Sequence, residues 1–85
     1  MNQEMIDHLL IAPDNELDAS MKPLIAKWSV PTTPIQILEV LDQCVHGSLA
    51  SGFVVNLLQI LYDTSCKHHN TTHEEVLKLA TWRQN

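Results

Sequence analysis

The sequence predicts an all-α fold: a small bundle of four to five short helices around a central apolar helix at about residues 48–66. Three observations lead there. First, Phe53, Val54, Val55, Leu57, Leu58, Ile60, Leu61 and Tyr62 fall almost in a run. Wound at helical spacing they cover well over half the circumference, and Asn56, Gln59 and Asp63 leave only a narrow polar stripe. Second, the chain has only two glycines in 85 residues, which disfavours glycine-rich strands and turns. Third, Thr33 with Gln36 and Thr72 with Glu75 repeat the spacing of a helix capping box, each ahead of apolar residues at helical intervals. No strand alternation competes with these signals.

A chain of this length holds one domain, 1–85, of modest stability unless it oligomerises. The first helix is expected near 2–12, where Ile6, Leu9 and Leu10 form a stripe and Pro13 ends it. A turn at Asp14-Asn15 follows. The second piece lies near 16–28, with Leu17, Met21, Leu24, Ile25 and Trp28 as its apolar residues. Pro23 predicts a break or kink within it, and Ser20 a turn or cap. Residues 29–33 form a Pro/Thr connector, held extended by Pro31 and Pro34.

The third helix, 34–46, has the clearest start. Thr33 caps it and Pro34 occupies the first helical position. Ile37, Leu38, Val40, Leu41, Cys44 and Val45 share its apolar face, while Gln36, Glu39, Asp42, Gln43 and His46 share the polar one. Gly47 is a natural C-cap. The central helix begins at Ser48, with Leu57 and Leu61 expected fully buried. A polar loop over 67–72 leads to a last helix at 72–82, built on Val76, Leu77, Leu79 and Ala80. Trp82 either folds back as a lid or stays at an interface.

The formal charge of -5 sits entirely in the first 18 residues. Glu4, Asp7, Asp14, Glu16 and Asp18 have no Lys or Arg among them, and beyond them five bases balance five acids. This acidic segment is expected to be solvated and partly mobile, or to dock on something basic. The basic footprint of a nucleic-acid binder is missing. The opening Met-Asn-Gln-Glu lacks the positive region of a signal peptide, and the apolar run is too interrupted to span a bilayer. A cytoplasmic location follows, with Cys44 and Cys66 as free thiols.

Two places invite a chemical reading. Cys44, His46, Cys66, His68, His69 and His73 include two Cys-x-His pairs, and thiolate with imidazole suits zinc. Residues two apart on a helix point to different faces, however, so Cys44 and His46 do not converge. The second place is the helix–glycine–helix outline around Gly47, shared with helix-turn-helix proteins. The helix after it offers only Asn56 and Gln59 for base edges and no positive charge before Lys67. No phosphate loop or nucleophile elbow is present, and no cofactor is implied.

The expected function is therefore non-catalytic protein–protein binding, as a regulator, adaptor or inhibitor. The acids Glu4, Asp7, Asp14, Glu16 and Asp18 form one expected docking surface. Val55, Gln59, Tyr62 and Trp82 form another, the seam of a homodimer that closes the wide apolar arc of the central helix. The alternative is a metal- or thiol-dependent sensor built on Cys44, Cys66, His68, His69 and His73. A helical DNA-binding regulator comes third.

Overall fold

The computed structural model describes residues 3–28 and 31–83. Five α-helices and two 3-10 turns make up its regular structure: α1 (Gln3–Ile11), a 3-10 turn (Ala19–Met21), α2 (Lys22–Ala26), α3 (Pro34–His46), α4 (Gly52–His68), α5 (His73–Leu79) and a second 3-10 turn (Thr81–Arg83). The protein is an all-α bundle with no strand among the described residues. Its one extended pairing is an isolated bridge between Leu17 and Ala50. Asn2, at the start of the first expected helix, and Ser29 and Val30 of the connector lie outside the described residues.

The third helix starts and stops where its residues direct. The capping box closes around Thr33 and Gln36, and Pro34 occupies the first turn. At the other end the Gly47 N–H donates to the Gln43 carbonyl and the Leu49 N–H reaches back to Cys44, closing the helix with a Schellman-type bond. The left-handed residue of this turn is Ser48, at φ 53°, and not the glycine. A full Schellman motif ends α4. There Asn70 takes the left-handed position, and the Asn70 and Thr71 N–H groups donate to Lys67 and Cys66.

The central helix is later than expected. It begins at Gly52, with Ser51 as its cap accepting the Val54 N–H at 3.2 Å. Ser48 turns the chain out of the helical path, and the segment behind it pairs with the other side of the molecule. The Asp18 N–H donates to Leu49 and the Ser51 N–H to Glu16, both at 2.7 Å. These partners are more than thirty residues away in sequence, so local spacing around Ser48 carries no sign of them.

The second piece breaks near Pro23, as expected, and the break has a simple form. A 3-10 turn capped by Asp18 runs into α2, and Pro23 sits in the first turn of that helix, where its missing N–H costs nothing. The Lys22 ammonium donates to the Ala12 carbonyl just past the end of α1. The acidic segment is thus part of the bundle and not a mobile arm: Ile6, Leu9 and Leu17 are all buried in the core.

The core lies chiefly between α3 and α4, which share the most extensive packing, with α1, α2 and α5 around them. Leu9, Leu17, Ile25, Ile37, Leu38, Leu58 and Leu61 are its largest fully buried residues. Four expectations need correction. Leu57 is only partly covered, because it stands at the seam where α1 meets α4; its neighbour Leu58 is the fully buried residue. Val45, placed on the apolar face of α3, is exposed at the last turn of that helix, where no element packs over it. Asp42, placed on the polar face, is 6% exposed because the chain's end folds over it. The last helix stops at Leu79 and not at 82; Ala80, at ψ 75°, turns the chain into the 3-10 turn that makes this return possible.

Candidate interaction surface

Helices α1 and α4 pack side by side and leave a groove of about 300 Å³ between them, open to solvent. Glu4, Met5 and His8 line it from α1, and Phe53 and Leu57 from α4. The reason lies in the two helices' patterns. Helix α1 turns Ile6 and Leu9 into the core, which leaves Met5 at its flank and Glu4 and His8 outermost. Helix α4 turns Val54, Leu58 and Leu61 inward, which leaves Phe53, Leu57 and Ile60 along its outer side, one turn apart.

Phe53 is 60% exposed and Ile60 53%. The Phe53 ring meets the His8 imidazole edge-on, with centroids 6.3 Å apart. The α4 apolar arc is therefore wider than its neighbours cover, as its sequence implies, but the open sector is not the expected one. Tyr62 is buried beneath α5, its hydroxyl 2.7 Å from His73 Nδ1 and its ring edge-on to the imidazole at 5.6 Å. Its burial removes it from any direct seam in the folded chain. Val55 is half-buried. Gln59 is exposed, and its amide donates to Asp63 on the polar stripe at 3.2 Å.

Trp82 folds back. Its indole N–H donates to Asp42 Oδ2 at 2.8 Å, and Arg83 forms a bidentate pair with the same carboxylate through Nε at 2.6 Å and Nη2 at 2.5 Å. The Arg83 guanidinium holds the Asp42 carboxyl below the usual carboxylate range; burial works against this and the Trp82 bond reinforces it. This clasp joins the last 3-10 turn to α3. Asp42 was legible only as a polar-face residue, and nothing local to it announces a partner forty positions on.

Of the acidic residues, Glu4, Asp7 and Asp14 are exposed, while Glu16 and Asp18 are partly covered. The Asp18 carboxylate accepts the Ser20 hydroxyl at 2.5 Å and the Ser20 N–H at 3.0 Å, and these bonds lower its pKa. Asp18 is thus a cap more than a docking group.

The Cys/His residues do not converge. Cys44 and Cys66 are free and buried. Burial pushes the Cys44 thiol up to about 11, helped by the charge of Asp18. Burial also raises Cys66, with a Tyr62 hydrogen bond working the other way. Both thiols are therefore protonated at neutral pH, the wrong state for a nucleophile or a metal ligand. His68 and His69 stack edge-on at 5.1 Å, and His69 Nε2 lies 3.3 Å from the Thr32 carbonyl, which also accepts the Ser65 hydroxyl at 2.5 Å. Among the described residues, no group of three or more His, Cys, Asp or Glu is placed to hold a metal ion. Among them, too, no helix is long and apolar enough to cross a membrane.

No family model matches this chain, and no curated protein or solved structure matches it either.

Proposed function

We propose that this protein acts by binding another protein through the α1–α4 face, without catalysis. The observation that carries the reading is the outward strip of Phe53, Leu57 and Ile60, with Met5 beside it, on a chain otherwise able to bury its large side chains. Two large apolar residues more than half exposed, two turns apart on one helix and continuous with a groove, are a common mark of an interaction site. Regulator, adaptor and inhibitor all remain forms of this activity. A cytoplasmic setting belongs to the same proposal and is supported by two free thiols. Either a second copy of the chain or a different protein can close the strip.

The test is capture of cross-linked partners from the cells that make the protein, using the native chain and a Phe53→Ser, Ile60→Ser variant. Both residues are exposed, so the variant is expected to fold and melt like the parent. A partner held by the native chain and lost with the variant supports the reading. Equal capture by both chains removes the α1–α4 face from it.

A further inference from the structure

We infer that the α1–α4 groove receives a basic amphipathic helix from a different protein, its apolar side chains seated between Met5 and Leu57 and a Lys or Arg set against the Glu4 side. This rests on the protein-binding reading and names the partner's chemistry. Phe53, Leu57 and Ile60 recur at helical intervals along α4, so a second helix laid beside them meets an apolar residue at each turn. Met5 on the opposite wall is unbranched and adapts to the shape of an incoming side chain.

The charge around this apolar floor is of one sign. Glu4 lines the groove, and Asp7 follows it one turn along the exposed side of α1. No Lys or Arg occurs among the first 18 residues, so α1 brings no cation to this wall. On α4, Asp63 stands beyond the strip, and Lys67 comes only two turns past Ile60, at the far end of the helix. An approaching basic helix is drawn to such a surface, and an acidic one is repelled.

The same charges argue against a second copy as the occupant. A symmetric contact sets a patch against itself. It would bring the Glu4 and Asp7 side of one chain to an apolar strip whose near neighbours are also acids. Nucleic acid is excluded on the same ground, since its phosphates need cations that this face lacks.

The experiment uses the full chain and two labelled synthetic helices with the same leucine pattern, one carrying lysines on its polar face and the other glutamates. Fluorescence anisotropy measures affinity, and amide chemical shifts locate the contact. The lysine helix is expected to bind in the micromolar range and to shift the signals of Met5, His8, Phe53 and Leu57. Phe53→Ser should weaken it by roughly tenfold or more. Glu4→Gln and a rise from about 0.05 to about 0.5 M salt should each weaken it severalfold.

Equal binding of the two helices, shifts confined to another face, or insensitivity to Phe53→Ser would each overturn the inference. So would a chain that sediments as a dimer and becomes a monomer on Phe53→Ser, which would assign the groove to a second copy. A captured natural partner that needs Phe53 but is not displaced by the lysine helix would sink this inference and leave the protein-binding reading standing. A partner indifferent to Phe53 would remove both.

Discussion

Asp42 accepts the indole N–H of Trp82 at 2.8 Å, across forty positions of sequence, and binds the Arg83 guanidinium with both oxygens. The carboxylate is nearly closed off from solvent by the groups that neutralise it. Removing one partner of a covered charge leaves the other to bear the desolvation cost alone. Arg83→Met is therefore expected to cost about 1.5–3 kcal/mol, and Trp82→Phe, which removes one neutral donor, about 1 kcal/mol. Denaturant melts of the two variants check the order; a larger loss from Trp82→Phe would mean that the ring's packing outweighs the ion pair.

Acid should undo the same clasp. Arg83 lowers the Asp42 pKa in the folded chain, so the unfolded chain binds more protons as pH falls. The stabilisation is complete above the ordinary aspartate value of about 3.9 and is lost as pH drops from there through the folded value. Asp18, also lowered, acts in the same direction. The stability gap between the parent and Asp42→Asn should accordingly narrow between about pH 4 and pH 2. A gap that stays constant on acidification would show that Asp42 contributes little through its charge.

The turn after α3 makes an unusual forecast about Gly47 and Ser48. Gly47 has an ordinary negative φ, yet an added Cβ would lie 2.9 Å from the Gln43 carbonyl oxygen and 3.1 Å from Leu49 Cγ. Ser48 holds the left-handed conformation that favours glycine. Gly47→Ala should destabilise, and Ser48→Gly should stabilise by about 0.5–1 kcal/mol. Thermal melts of the two single variants, moving in opposite directions, are the expected result.

Leu57 and Leu58 are adjacent in sequence and should differ sharply in cost. Leu58 is fully buried, so Leu58→Ala is expected to lose about 2–5 kcal/mol, a large share of the stability of a small domain. Leu57 already borders solvent in the groove, and Leu57→Ala should lose less than about 2 kcal/mol. Equal losses in urea titrations would mean that the groove is closed in solution.

Neither cysteine should react in the native state. Both are buried and both thiols are raised above their ordinary pKa, Cys44 to about 11. A thiol-specific chromogenic reagent at neutral pH is expected to label them only as fast as the chain opens, and to label both promptly in denaturant. Rapid labelling of the folded protein would revive a thiol-based function.

What the sequence determined by itself was local. The Thr33–Pro34–Gln36 start of α3 and the Thr72–Glu75 start of α5 were legible because a cap is made by residues three apart. The excess apolar arc of α4 was legible because helical spacing fixes which residues share a face. The tertiary structure decided everything that depends on a distant partner. It moved the start of α4 to Gly52, because the Leu49–Ser51 backbone pairs with Glu16–Asp18. It buried Asp42 under Trp82 and Arg83, and Tyr62 beside His73. It also chose which sector of the arc stayed open. Helix α5 covers the Tyr62 side, and α1 covers only part of the other, so Phe53 and Ile60 face the solvent. A helical period says how wide an apolar face is; only the neighbours' positions say which part of it is left for a partner.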